Sequence, residues 1–317
     1  MGMHVAILGT GALGGVFAAY LSNAGHAVSC VDVRDEQVEA ISENGLNVVD
    51  EQGQDVHAYP TATMDVREVD DVDVIFLFVK SYDTDTVLPD AEVIAGPGTR
   101  VVTLQNGLSN YERVKARFGA SCAFGGTTTA GASLIEPGTV ARTSVGQTVV
   151  GGDDVARAAE VAGIVDEAGF DAESVEDPVP YIWKKQLVNA GLKPVAALTE
   201  LENGPMRKSG EAAEVMRRLV EETASVAEAQ NIELLSEDPV RETYEICESN
   251  DGERSSMRED ILNGRRTEID YINDKVAEVG AEVGAEVGVP PPYNDVVTKL
   301  VKAKEEGIRR EPDQTWR

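Results

Sequence analysis

Gly9-Thr10-Gly11-Ala12-Leu13-Gly14 reads GxGxxG, and Asp32 stands about 20 positions further on. The hexapeptide alone is a weak signal. Here HVAIL (4–8) reads as a buried strand before it and VFAAYLSNAG as an apolar helix after it. In that setting Gly9 allows a tight turn, Gly11 lets the backbone approach a pyrophosphate, and Gly14 lets helix and strand pack closely. Free N–H groups at the helix start then face the phosphates. Gly9 to Gly14 and Asp32 are therefore expected to bind a dinucleotide, with the acidic side chain on a ribose.

A dinucleotide does not name a reaction. Reduction beside a nicotinamide needs a proton donor, for which histidine is the usual first choice. His4 opens the first strand, His26 falls in the turn before the second, and His57 falls in a polar loop. None is placed for catalysis, which turns attention to lysine. The chain has ten lysines against eighteen arginines, and Lys80, Lys184, Lys185 and Lys193 fall in chemically suggestive segments. Others cluster at 299–304. Lys185 and Asn189 lie four apart in YIWKKQLVNAGLKPVAAL and share a helix face, which Lys193 extends. The bland alternative is a solvated stripe, but Ile182, Trp183, Leu187 and Val188 around it are apolar. Lys184 points elsewhere. Lys80 after VDVIFLFV and Asn106 after TRVVTLQ stand at carboxyl ends of strands, where open α/β sheets bind ligands. Asn106-Gly107 also reads as a plain turn. Ser256 and Glu259 fit a capping box, S-x-x-E. Glu268 lies among Ile269, Tyr271 and Ile272, which implies partial burial and a partner.

These residues must be held by a sizeable fold. The chain has 317 residues, 42% of them hydrophobic, which suggests about two domains. AVSCV ends at Asp32, the helix DEQVEAISENG follows, and strands come at 72–79 and 99–105. Strands alternating with helices imply a doubly wound parallel sheet, a Rossmann-type α/β domain. TTTAGASLIEPGTVARTSVGQTVVGG (127–152) reads as antiparallel strands closing that domain. After Pro178 only helical patterns remain, SMREDILNGRRTEIDYINDKVAEV among them. The expected domains are 1–177, binding dinucleotide, and 178–317, all helical. GAEVGAEVGV (280–289) holds a four-residue repeat that adds about one helical turn.

The formal charge is −28, which disfavours nucleic acid and anionic membrane as partners and matches a surface adapted to concentrated salt. No apolar run approaches the roughly 18 residues of a membrane span. The first strand begins at His4, leaving no room for a signal peptide. Cys30, Cys122 and Cys247 form no CxxC pair, so a cytoplasmic protein without a disulfide framework or zinc site is expected.

Together GTGALG, Lys80, Gln105-Asn106-Gly107, Gly126-Thr127-Thr128-Thr129, Lys185-x-x-x-Asn189 and SM…TEIDYIN make the chain resemble ketopantoate reductase (2-dehydropantoate 2-reductase) over essentially its whole length. The resemblance implies a Rossmann domain, a helical domain related to that of 6-phosphogluconate dehydrogenase, and a substrate cleft between them. It implies that Lys185 is the catalytic lysine, that Asn106, Asn189, Asn203 and Ser256 bind substrate, and that Glu268 lies in the cleft and approaches the cofactor. Lys80, Asn106 and Ala132 match cofactor-contacting positions. Where the family commonly has an asparagine before proline, this chain has Lys193-Pro194.

The implied reaction is hydride transfer to the C2 carbonyl of a 2-oxo acid, serving pantothenate and coenzyme A synthesis, without a metal. Lys185 would stabilise the oxyanion and donate the proton. Lys193 would lower its pKa or pair with the substrate carboxylate. The family default is NADP(H). Asp32 alone suggests NAD(H), because it can accept from both ribose hydroxyls. Arg34 could receive a 2′-phosphate if Asp32 turns aside. Two alternatives are a reductase of another branched 2-oxo acid and a non-catalytic redox sensor. Apolar stripes on the helices are compatible with a homodimer.

Overall fold

The computed structural model describes residues 2–50, 55–287 and 291–308, with only the backbone for 284–287. The described residues form two compact units. One comprises residues up to Gln105 together with Ser109–Pro178. The other comprises Asn106–Leu108 and the residues from Val179 onward.

The strands of the first unit are β1 (His4–Leu8), β2 (Ala27–Val31), β3 (Leu46–Val49), β4 (Asp55–Ala58), β5 (Thr61–Thr63) and β6 (Val72–Leu77), then β7 (Ala95–Thr103), β8 (Ala123–Thr128), β9 (Gly131–Glu136), β10 (Thr139–Ser144), β11 (Gln147–Gly151) and β12 (Asp171–Val175). Its helices are α1 (Ala12–Asn23), α2 (Asp35–Asn44), α3 (Thr84–Ile94), α4 (Asn110–Phe118) and α5 (Val155–Glu167). Among the described residues the main sheet runs β12-β11-β8-β7-β6-β1-β2-β5, parallel throughout except between β8 and β11. Val5–Leu8 and Val74–Leu77 are fully buried. Such continuous apolar runs suit central strands covered on both faces.

The segment 127–152 departs from expectation. Its outer strands β8 and β11 do pair antiparallel in the main sheet. Its inner hairpin, β9 and β10, leaves for a second sheet of order β4-β3-β10-β9, where β10 runs parallel to β3. The hairpin turns at Pro137-Gly138, and Asn47 N–H donates to the Gly138 carbonyl at 2.8 Å, seating it beside β3. His57, expected in a loop, lies exposed on β4. Helix α1 packs against both sheets. It is therefore apolar nearly all round, as buried helices are. Phe17 on it stacks on Phe170 at 4.1 Å between ring centroids.

The second unit is helical: α6 (Val179–Thr199), α7 (Asn203–Lys208), α8 (Gly210–Ala229), α9 (Pro239–Ser249), α10 (Ser256–Leu262), α11 (Asn273–Val287) and α12 (Pro292–Ile308). Helix α6 packs against α8, α9, α10 and α12. Ala190, Ala197, Met257, Ile261, Ile269, Ile272 and Val301 form one of its buried clusters. The helical pattern over SMREDILNGRRTEIDYINDKVAEV is interrupted at 263–272. Gly264 takes a left-handed φ of 70°, and Glu305 captures the Thr267 N–H at 2.8 Å. Glu268 thus lies on an irregular connector rather than on a helix. The repeat at 280–289 continues α11 as far as Val287, and 288–290 lie outside the described residues. No helix among the described residues is long and apolar enough to cross a membrane. Cys30, Cys122 and Cys247 are free thiols.

Candidate active site

In the first unit the GxGxxG loop joins β1 to α1. Gly9 has a φ of 95°, and a Cβ there would fall 2.7 Å from the Val79 nitrogen. A Cβ on Gly14 would fall 2.1 Å from the Gly9 carbonyl oxygen. Gly11 is different: a Cβ would meet nothing within 4 Å. It stands at the N-cap of α1 and leaves an open approach to the helix start, where a pyrophosphate fits. Ala12, Leu13 and Gly14 form the first turn, and Thr10 is fully buried beneath the loop.

Asp32, expected on a ribose, is engaged by the protein itself. Its Oδ2 accepts from Thr10 N at 2.8 Å and from Arg34 Nη2 at 2.9 Å. Its Oδ1 accepts from Arg34 N at 3.0 Å and Arg34 Nε at 2.9 Å. A carboxylate has about four acceptor sites, and all are taken. Both Asp32 oxygens are turned to Thr10 and Arg34. It clamps the fingerprint loop to the end of β2 and holds Arg34 by a two-pronged grip. Arg34 also donates to the Thr10 carbonyl at 3.3 Å. Lys80 stands three residues past β6, half-buried, ahead of a short helical turn at Ser81–Asp83. Ala132 lies on β9 of the second sheet, packed against the core of this unit.

The second unit gathers the remaining residues. Lys185, Asn189 and Lys193 follow one row along α6. Asn189 and Lys193 are each 8% exposed, so the row is not a solvated stripe. Lys184, off that row, pairs with Glu242 at 3.0 Å. The pKa of Lys185 falls to about 7, chiefly because burial desolvates the ammonium, then because Lys193 repels it, with Glu268 opposing.

Local structure explains why α6 can carry this row. Gln186, beside Lys185, donates to the Ile272 carbonyl at 2.8 Å. Pro194 removes the N–H that the Ala190 carbonyl would otherwise receive. Asn273 Nδ2 takes its place, reaching Ala190 O at 2.9 Å. One side-chain bond thus ties α6 to the end of the connector that bears Glu268, and the other ties it to the first residue of α11.

Glu268 is 6% exposed and accepts from Asn106 Nδ2 at 3.3 Å. Gly107 brings the two together. Its φ is 85°, and a Cβ there would fall 2.4 Å from the Tyr271 carbonyl oxygen. Leu108 N–H donates to that same oxygen at 2.9 Å. Hence the Gln-Asn-Gly turn docks on the 268–271 turn. Asn106 belongs to the helical unit, although its neighbour Gln105 bonds to Val79 and Thr84 of the first.

The helix-cap reading shifts from Ser256 to Ser255. Ser255, with extended φ −61° and ψ 137°, is the N-cap of α10. Ser256 is the first helical residue and is exposed. The capping box read on Ser256 and Glu259 is therefore absent: three residues beyond the true cap stands Arg258. Asn203 opens α7 and is 3% exposed. Its N–H donates to the Glu253 carbonyl at 3.3 Å, and Gly204 N–H to the Asp251 carbonyl at 2.9 Å. Burial raises the Glu253 pKa, while the neighbouring charge of Lys193 pulls it down. Sequence reasoning missed Ser255, Gln186, Glu253 and Asn273. Only the doubled serine carried a signal, and it left two registers open.

Comparison with known proteins comes from both units. Residues 5–154 match the family model described as Ketopantoate reductase PanE/ApbA, and residues 178–305 match its C-terminal counterpart. The 2-dehydropantoate 2-reductase of Archaeoglobus fulgidus is 35% identical over 96% of this chain and 99% of its own. That of Halobacterium salinarum is 32% identical over 87% and 91%. The ternary structure of D-mandelate dehydrogenase with NADH and anilino(oxo)acetate superposes with a TM-score of 0.88. It is 30% identical and covers 96% of this chain and 99% of that one.

Proposed function

The chain belongs to the ketopantoate reductase family, and from that premise we propose how its residues carry out the reduction of 2-dehydropantoate to pantoate. The observation that carries the reading is Lys185: a lysine with its pKa brought to about 7, in one row with Asn189 and Lys193. A general acid works best when its pKa lies near the working pH. Reduced nicotinamide, when bound, supplies the hydride that forms the new C–H bond at C2. As the carbonyl π pair moves onto oxygen, Lys185 stabilises the developing charge and gives up its proton, ending as a neutral amine. Glu268, held by Asn106, orients Lys185 and keeps its ammonium form from being lost at still lower pH. Lys193 lowers the Lys185 pKa and offers a cation to the substrate carboxylate. Asn106, Asn189, Asn203 and Ser256 complete the substrate set by family correspondence.

The residues fit a dinucleotide. Gly9 to Gly14 would receive the pyrophosphate, Arg34 and Lys80 the adenosine side, with Ala132, Asn106 and Glu268 as further contacts. Arg34 directs its Nε and Nη2 edge at Asp32, so the pair is nearly neutral overall. A nearly neutral pair neither strongly attracts nor strongly repels a 2′-phosphate, so NADP(H), the family default, is the preferred coenzyme with NAD(H) tolerated. The likeness to D-mandelate dehydrogenase supports a second reading, reduction of another bulky 2-oxo acid. The deciding experiment follows reduced-nicotinamide oxidation with 2-dehydropantoate, 2-oxoisovalerate and benzoylformate. A higher kcat/KM for either of the last two would replace the first reading by the second. The −28 charge supports a surface adapted to high salt.

A further inference from the structure

Pro194 stands inside α6 and has no N–H, so the Ala190 carbonyl one turn earlier loses its helical partner. Ala190 is fully buried, beyond the reach of bulk water. Asn273, the first residue of α11, supplies the missing hydrogen through Nδ2 at 2.9 Å. What holds Asn273 lies further off. Its Nδ2 also donates to Asn294 Oδ1 at 2.9 Å. Asn294 Nδ2 in turn donates to Glu222 Oε2 at 2.9 Å and to the Leu219 carbonyl at 3.4 Å. Asn273 and Asn294 are both fully buried. A side-chain amide has two N–H donors, and each of these amides uses both.

The relay has a direction, and Glu222 on α8 sets it. Glu222 also accepts from Tyr293 N and Asn294 N, each at 2.9 Å, in the first turn of α12. Those are N–H groups that a helix start leaves without an internal partner. A carboxylate only accepts, and all three of these groups donate to it. Asn294 must therefore turn Nδ2 to Glu222 and Oδ1 to Asn273. Asn273 must then present Nδ2, which is what the Ala190 carbonyl needs. It keeps that orientation although its own Oδ1 is buried without a partner. With an amide at 222, an NH2 group would face these donors. Asn294 would turn over to receive it, and Asn273 would then set its oxygen against the Ala190 oxygen.

The far end of the relay meets the catalytic row. Ala190 lies between Asn189 and Lys193 on α6. Gln186, one turn before Ala190, holds the Ile272 carbonyl at 2.8 Å. The two bonds clamp the middle of α6 against 272–273, a few residues past Glu268. The clamp sets the spacing of Lys185 from Lys193 and Glu268, whose charges act on its buried ammonium.

We propose that Glu222, acting through Asn294 and Asn273, is a positioning residue for Lys185, holding α6 at its Pro194 break in the geometry that proton donation needs. The proposal rests on the reading of Lys185 as proton donor.

The test is a double-mutant cycle of Glu222→Gln and Pro194→Ala, read by kcat/KM for 2-dehydropantoate reduction from pH 6 to 9. Glu222→Gln should lower kcat/KM about fivefold or more at pH 7, the effect of a displaced proton donor. Its alkaline limb should rise by about half a pH unit or more, because a loosened α6 admits water to Lys185 and withdraws Lys193. Pro194→Ala returns a backbone N–H to the Ala190 carbonyl. Adding Glu222→Gln to that variant should therefore change kcat/KM about twofold or less. A native alkaline limb in Glu222→Gln, whatever its melting temperature, reduces Glu222 to a cap of α12 and overturns the proposal. An equal loss with and without Pro194→Ala overturns it too, since the effect then does not pass through Ala190. Asn273→Ser cuts the last bond and leaves the α12 cap intact. It takes the place of Glu222→Gln in the cycle if that variant does not fold, and the same outcomes decide. Full turnover in Lys185→Ala overturns instead the reading of Lys185 as the donor.

Discussion

The Arg34 guanidinium grips both carboxylate oxygens of Asp32, Nε to Oδ1 and Nη2 to Oδ2, each at 2.9 Å. The pair sets the coenzyme expectation. A ribose diol reaches Asp32 only by displacing Arg34, and a 2′-phosphate meets a guanidinium already partly neutralised. Neither coenzyme finds a free partner in this pair, so the family default, NADPH, should be preferred by only about tenfold or less, about 1.4 kcal/mol. Arg34→Ala frees the carboxylate, so NADPH efficiency should fall while NADH efficiency holds or rises. Steady-state kinetics with both coenzymes checks this. A strict NADH preference unchanged by Arg34→Ala would remove Arg34 from the coenzyme site.

Lys185→Ala should lower kcat by roughly 10²-fold or more, the scale of a lost general acid, with little change in dinucleotide affinity. The pH profile carries the sign. The acid form of Lys185 is present below about pH 7 and disappears above it. Reduction should therefore fall on the alkaline side of neutrality, and oxidation of pantoate, which needs the neutral amine, should rise there. A kcat/KM for reduction that is flat from pH 6 to 9 would show that another group gives the proton.

Lys193→Asn removes one of the two influences that lower the Lys185 pKa, the other being burial. The alkaline limb of kcat/KM should then move to higher pH. If Lys193 also binds the substrate carboxylate, KM rises in the same variant. A profile and KM both unaltered would place Lys193 outside the substrate pocket.

Gly107→Ala should uncouple Asn106 from Glu268. The substituted residue would have to keep a φ of 85° and accommodate a Cβ 2.4 Å from the Tyr271 oxygen. The cost is at least about 1 kcal/mol from conformation alone, and more from the clash. A melting curve should show the destabilisation, and kcat should fall with it. An unchanged melting temperature would mean that the turn is not held as described.

Salt gives a further test. With a formal charge of −28, self-repulsion should be strongest at low ionic strength. Screening shortens its range to about 3 Å at 1 M. Melting temperature should rise as salt increases into the molar range, and a flat profile would separate the acidic surface from stability.

What could be read in the sequence was what lies close along it. The fingerprint Gly9 to Gly14 fell between a strand and a helix as expected, because three glycines at fixed spacing answer to one local turn. The row of Lys185, Asn189 and Lys193 followed from helical periodicity alone. The serine register did not follow. Ser255 and Ser256 are chemically identical neighbours, and only the extended backbone of Ser255 makes it the cap.

The sequence by itself determined the alternation of strand and helix, the dinucleotide loop and the residue types available for proton transfer, since each depends on residues a few positions apart. The tertiary structure decided the rest. It sent β10 to pair with β3 instead of extending the main sheet, because strand partners are chosen across long stretches of chain. It brought Asn106 to Glu268 across 162 residues through the backbone contact of Gly107. It also filled every acceptor site of Asp32, and it enclosed Lys185 until its pKa fell to about 7. Hydrogen-bond saturation and desolvation depend on everything packed around a group, and a linear pattern of residues does not contain that information.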